Sequence, residues 1–316
     1  MRLGKLDNDA LEALVLRKFR RRRPESAFQP QVGLDCAVLD LGGDLAALSC
    51  DPITSAGIRQ LGRLTVDVCC NDAAAFGAEP VGLLVTLLAP PSATESEIGR
   101  IADDLAAAAE QAAVDILGGH TELTDAVTRY VTCATVLARM PRDRMLPGMC
   151  PGDDIVMTKY AGLEGTAIIL SDYAYRLAAI PAHAFDFINA LSIVPESRIA
   201  MRHGVHAMHD VTEGGVLGAL WEMVRLHGYG IRTDIASIPV LPVTREICAA
   251  LGLDALRLIG SGSLLIACRN GMALCAALKD GGIRATIIGS VTGETLHDGD
   301  GCEIDPPAAD EIYHLF

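Results

Sequence analysis

Five acids recur at strand ends and within short motifs along this chain: Asp35, Asp51, Asp72, Glu122 and Asp210. Magnesium is a hard cation that takes oxygen ligands and keeps several waters, so carboxylates drawn from separate segments suit it. Enzymes that handle ATP use such an ion to neutralise the phosphates. Scattered acidic loops give the same pattern, and spacing alone leaves both readings open. Asp210 has the most telling context, the run from Met208 to Met223. There an apolar lead-in ends in the acid, Thr212 is placed as a helix N-cap, and Gly214-Gly215 follow in the first turn. Val216, Leu220, Met223 and Val224 then make one apolar helical face. Paired glycines weaken a first turn but let a phosphate approach its free N–H groups and positive dipole end. Asp210 would repel that phosphate unless a cation sat between them. The functional reading is a metal–phosphate site; the alternative is a turn whose glycines serve tight packing.

Other chemistry is thin. His120 and His209 stand beside glycines or acids and would suit proton shuttling or a structural hydrogen bond. There is no Gly-x-Ser-x-Gly elbow, no zinc spacing of His and Cys, and no P-loop around Gly4-Lys5. Trp221 reads as core rather than as a stacking surface.

The elements that would position these residues alternate between strand and helix. A helix over 9–20 carries Leu11, Leu14, Val15 and Phe19 on one side; Arg20 to Arg23 follow, suiting a helix C-terminus, a solvated face or a phosphate. Residues 36–39 and 45–50 form a hairpin around Gly42-Gly43-Asp44, with Asp35 before it and Asp51 ending it. A helix over 59–76 contains Asn71-Asp72, and a strand over 81–89 follows. The helix over 94–113 leads to a short strand, 114–117, that runs into Gly118-Gly119-His120-Thr121-Glu122. A β-branched strand over 127–137 precedes a turn-rich junction at 139–153. Beyond it lie a strand at 154–159, a helix opened by Gly162 to Thr166, helical residues over 183–194, strands at 231, 239–240 and 259–268, a helix over 272–279 and a strand over 285–291.

Composition sets the frame. The 316 residues suggest two domains, and 50% apolar content supplies ample core. A net charge of -14 argues against nucleic acid as the main partner, while metal ions would still let ATP bind. Ten cysteines without a Cys-x-x-Cys pair read as buried free thiols in a reducing cytosol. No signal-peptide core or spanning apolar run is present, so the expectation is a cytoplasmic protein without membrane partners.

Several stretches together resemble the aminoimidazole-ribonucleotide (AIR) synthase, or PurM-like, superfamily. They are Gly33 to Val38, Cys50-Asp51-Pro52-Ile53-Thr54, Asn71 to Pro80, Gly118 to Glu122, Lys159 with Gly162 to Thr166, Met208 to Gly215, and Gly260-Ser261-Gly262. They keep the family's order and cover nearly the whole chain. The superfamily also holds thiamine-monophosphate kinase, selenophosphate synthetase and formylglycinamidine-ribonucleotide synthase, and the chain is most similar to the HypE-like, AIR-synthase-related subgroup.

The resemblance implies an α/β (α+β) fold in two domains. Residues 1–145 would form an ATP-binding and dimerisation domain whose sheet makes an intersubunit β-barrel, and residues 146–316 a C-terminal α/β domain. ATP would lie between the domains. Asp35, Asp51, Asp72, Asp210 and Glu122 would hold magnesium; Asn71, Gly118, Gly119, Lys159, Gly214 and Gly215 would approach the nucleotide; Asp72, Asp210 and His120 would serve catalysis. In this family the Asn-Asp pair can complete a site shared across a homodimer, so Asp72 would then serve the partner's nucleotide.

Three departures stand out. HypE proteins act through a C-terminal cysteine, whereas the last cysteine here is Cys302. Selenophosphate synthetases carry a reactive cysteine in an N-terminal glycine-rich loop, whereas none precedes Cys36. Glu164 stands where HypE proteins have a histidine. The expected function is magnesium-dependent activation of a small-molecule oxygen by phosphoryl transfer from ATP, with the acceptor unspecified. The alternatives are a HypE-type hydrogenase-maturation factor working on a protein partner's cysteine, and a nucleotide-binding scaffold without catalysis.

Overall fold

The computed structural model describes residues 8–19, 23–54, 56–183, 185–293, 295–306 and 309–315. Arg20, Arg21 and Arg22 of the arginine run lie outside them; Arg23 pairs with Glu25 at 2.6 Å. After α1 (Asn8–Leu14), the first sheet is built from β1 (Ala37–Asp40), β2 (Leu45–Ile53), β3 (Glu79–Ala89), β4 (Asp115–Leu123) and β5 (Val131–Met140), in the order β1-β2-β5-β3-β4. Only the β3–β4 pair is parallel, and its crossover is helical. The predicted hairpin is present, with Ala37 opposite Leu48. β2 then outruns β1 and continues through Asp51-Pro52-Ile53 against β5. Pro52 lacks an N–H, and it is tolerated where β1 no longer covers the edge. Asp51 therefore lies within a strand, not at its end.

Two helices cover this sheet. α2 (Leu61–Ala75) is almost wholly buried, because its small residues let it pack against β2 and β5 on one side and α3 on another. α3 (Glu95–Ala112) starts at a capping box in which Thr94 and Glu97 satisfy each other's backbone N–H groups. The predicted short strand at 114–117 runs on to Leu123, so the glycine–histidine motif is strand and not turn. A Cβ on Gly119 would lie 1.7 Å from the Val85 carbonyl oxygen, so glycine here allows β4 to close onto β3.

The second sheet has the order β11-β8-β10-β6-β9-β7, from β6 (Asp154–Thr158), β7 (Ala207–Asp210), β8 (Ile231–Thr233), β9 (Leu264–Cys268), β10 (Ala285–Val291) and β11 (Leu296–His297). Its helices are α4 (Leu163–Asp172), α5 (Val194–Ala200), α6 (Gly215–His227), α7 (Pro242–Leu251) and α8 (Gly271–Asp280), and a 3-10 turn spans Glu311–Leu315. Residues 183–194 hold a short 3-10 turn, Ile188–Ala190, instead of the predicted helix, and residues 239–240 lie outside the strands. The larger hydrophobic core joins buried residues of both sheets, and α2 reaches across to α5 and β7. That contact brings the α2 acid near the β7 acid. Among the described residues no helix is long and apolar enough to cross a membrane.

Candidate functional site

Four of the predicted acids meet. Asp35 precedes β1, Asp51 lies on β2, Asp72 on α2, and Asp210 ends β7; all four line one cavity of about 970 Å³. The volume sits at the upper end of the range for small-molecule sites. Strands end and the inter-sheet helix passes here, so four segments deliver carboxylates to one place. Burial pushes the Asp72 carboxyl well above the usual carboxylate range, and Asp210, Asp51 and Asp35 push it further. Burial, then Asp35, raises Asp210 to about 7, with His209 pulling the other way. The Ser49 hydroxyl donates a hydrogen bond to Asp72 Oδ2. Asp51 Oδ2 and Asp210 Oδ2 are buried with no hydrogen-bond partner among the described residues. Crowded carboxylates with orphaned oxygens form a hard-oxygen donor set, which fits a divalent cation.

His209 is the residue the sequence underweighted. It is 3% exposed, and its Nδ1–H donates to the Asp210 carbonyl at 2.8 Å. That bond aims Nε2 at Asp35 Oδ1 and at Glu222 Oε2, each 3.6 Å away. Burial alone would lower its pKa, but Asp35, Glu222 and Asp210 win and raise it to about 9. The imidazolium therefore offsets part of the acid charge. The one signal for Glu222 was a lone charge in the otherwise apolar run Val216–Val224. Glu164 and Glu213 line the same cavity.

The remaining predicted residues lie elsewhere in this chain. The Asn71 side chain is buried; its Nδ2 donates to the Leu191 carbonyl and its Oδ1 accepts from the Ile193 N–H, both at 2.8 Å. It ties α2 to the loop before α5. Lys159, at φ +50°, ion-pairs with Glu196 at 2.7 Å and donates to the carbonyls of Ala190 and Ser192. Gly118, Gly119, His120 and Glu122 lie on β4, the edge strand farthest from β1, where His120 pairs with exposed Glu122 at 3.1 Å. Two further strands, β5 and β3, separate β4 from the strand of Asp51.

At the head of α6 the N-cap is Gly214, at φ +90°, and not Thr212. Its N–H donates at 2.6 Å to the carboxylate of Asp310, from just before the C-terminal 3-10 turn. Asp310 also accepts from the Ile312 N–H at 2.8 Å and from the Ile259 backbone. A Cβ on Gly215 would lie 2.4 Å from the Leu256 carbonyl oxygen, so this glycine serves close packing. Asp310→Ala strands buried N–H groups and is expected to lower the unfolding free energy by about 1–3 kcal/mol, with Asp310→Asn recovering part of it. Chemical denaturation of the two variants at neutral pH checks this.

The profile described as AIR synthase related protein, N-terminal domain, matches residues 33–140, and the corresponding C-terminal domain profile matches residues 150–299. The chain is 30% identical over 258 residues to the carbamoyl dehydratase HypE of Cupriavidus necator, covering 76% of this chain and 68% of that one. Its fold matches a chain of a HypE–HypF complex with a TM-score of 0.77 at 21% identity, over 94% of this chain and 99% of that one. It also matches a HypE structure in complex with ATP with a TM-score of 0.73 at 23% identity, over 96% of each chain.

Proposed function

The chain belongs to the AIR synthase related family, and on that premise we propose that it is a magnesium-dependent, ATP-using enzyme that activates an oxygen of a small molecule by phosphoryl transfer. The observation that carries this reading is the convergence of Asp35, Asp51, Asp72 and Asp210 on one cavity with two orphaned carboxylate oxygens. A relative named as a carbamoyl dehydratase and a fold neighbour in complex with ATP support it.

In this reading the four aspartates hold magnesium, which neutralises phosphate charge when bound. Ser49 fixes the rotamer of Asp72, and the His209 imidazolium restrains Asp35 and Asp210 against their mutual repulsion. Catalysis in this class is positioning and charge neutralisation, so a rigid acid set matters more than a single base. Residues 1–145 would form the nucleotide-binding and dimerisation domain and residues 146–316 the second domain. Gly118, Gly119, His120 and Glu122 would act on the partner's nucleotide in a homodimer, because two strands separate β4 from the strand of Asp51.

Isothermal titration with an ATP analogue tests the reading. Binding with magnesium, and none with EDTA, is the expected result. The absence of binding with magnesium present sinks it, and binding of ATP without phosphate release would favour the scaffold alternative. The names of the relatives favour one second reading, a maturation factor working on a protein partner. Co-purification with a carbamoyltransferase partner discriminates it.

A further inference from the structure

The acids around the cavity fall into two groups. Asp35, Asp51 and Asp210 act on Asp72, whereas Asp310 and Glu213 act on Glu164. Glu164 lies in the first turn of α4 and is 5% exposed, and it lines the cavity while its Oε2 has no hydrogen-bond partner among the described residues. Ser261, from the turn before β9, hydrogen-bonds the carboxyl. The charged groups facing it are Asp310 from the C-terminal segment and Glu213 from the turn before α6, both acids. Tyr313 is the other titratable neighbour, and it hydrogen-bonds Glu213. Arg129 also lines the cavity, but its charge acts on Tyr173. A buried carboxyl among acids, with one oxygen left without a partner, destabilises a fold unless a ligand completes it.

The completing group is a cation, and its size follows from the spread of the acids. Two sets of side chains bring ligand atoms within 4.8 Å of one another among the described residues: Asp35, His209 and Asp210, and Cys150, Asp153 and His206. Glu164 belongs to neither, so among the described residues no three clustered ligand atoms around it are set for a bare metal ion. Ile168, Ile259 and Ile312 give this region apolar walls, and Tyr313 adds an aromatic ring. Carboxylates set in apolar and aromatic walls recognise an organic cation. We infer that this end of the cavity is the acceptor subsite, that it takes a protonated amine on an apolar stem, and that Glu164 is the specificity-determining counter-ion. The inference rests on the nucleotide reading above, since it sets the amine-bearing molecule beside ATP.

A proton signature follows. Burial, reinforced by Asp310 and Glu213 against the Ser261 hydrogen bond, raises the Glu164 pKa to about 7. The arriving cation displaces that proton, so binding tightens about tenfold per pH unit up to about pH 7 and then levels. The probe is butylamine, with butanol and butyrate as controls, titrated calorimetrically into protein saturated with magnesium and a non-hydrolysable ATP analogue.

Wild type is expected to bind butylamine alone of the three and to release a proton below about pH 7. Glu164→Gln should weaken that binding at least about tenfold and abolish its pH dependence, while Glu164→Asp keeps the dependence. Binding of butyrate as tight as butylamine, no binding of the amine, or an unchanged Glu164→Gln variant overturns the inference. Stability guards against misfolding. A carboxyl whose folded pKa is raised contributes stability below its unfolded value and loses it as pH rises through about 7. Glu164→Gln should therefore melt no lower than wild type at about pH 8, and a lower melting point would mark the carboxylate as structural and sink the proposal. If the ATP analogue does not bind, the nucleotide reading fails by itself. The same titration into ligand-free protein then decides the subsite.

Discussion

Asp72→Asn and Asp210→Asn each lower magnesium-dependent ATP turnover at least about 100-fold, and neither variant melts below wild type in the absence of ligands. The two halves of this expectation come from one physical cause. Asp72 is held above its ordinary pKa by burial and by three neighbouring aspartates. Burial and those neighbours favour a neutral group at this position, so asparagine costs little there, and it still accepts the Ser49 hydrogen bond. Stability is therefore preserved while an anionic metal ligand is lost. Phosphate release under saturating magnesium and ATP measures the first half, and thermal melts measure the second. A variant that turns over ATP like wild type removes its aspartate from the metal set. A variant that melts far lower marks that aspartate as structural. Glu222→Gln is the instructive contrast: it removes a partner of His209 and no proposed ligand, so turnover should fall less.

Local pattern carried most of the architecture. The helix over 94–113, the hairpin around Gly42-Gly43 and the apolar face of α6 were readable because each is fixed by neighbours close in sequence. What escaped was set by distant contacts. β4 continues through its glycines because β3 pairs with it throughout, and β2 continues past Asp51 because β5 does. At Gly214 a cap from within the motif was the natural expectation, yet Asp310 supplies it from 96 residues away.

The acids were readable for a different reason. They stand in motifs that keep one order along the chain, and α2 bridges the two sheets so that four of them share a cavity. Nothing in sequence spacing could say that Asn71 and Lys159 spend their hydrogen bonds on the loop before α5. The resemblance set both near the nucleotide, while the partners that hold them here lie some 30 to 120 residues away. His209 was discounted for the opposite reason: a histidine between an apolar strand and an acid has many bland roles, and only its three acidic neighbours give it one here.

The edge of the first sheet makes the second large prediction. Every residue of β4, Asp115–Leu123, is exposed, and Ile116, Leu117 and Leu123 are among the large apolar side chains left in solvent, with Leu84 and Val81 of β3 beside them. A long, apolar, unprotected edge pairs with another chain unless it is blunted. A second copy is the occupant that also explains the Gly118–Glu122 motif. Three strand spacings, or about 14 Å, separate β4 from β2 and its Asp51, so the expectation is that the motif serves the acid cluster of a neighbouring chain. The protein is therefore expected to sediment as a dimer. Leu84→Lys combined with Leu117→Lys, which would bury two charges per protomer at the junction, should weaken association at least about 100-fold. Turnover should then fall with the dimer fraction and return as protein concentration is raised. Sedimentation equilibrium and phosphate release across one dilution series measure both. A double variant that is monomeric yet fully active would show that each chain's acid cluster works without the glycine–histidine strand of another. A wild type that is monomeric at all concentrations would leave that strand without a role in the site.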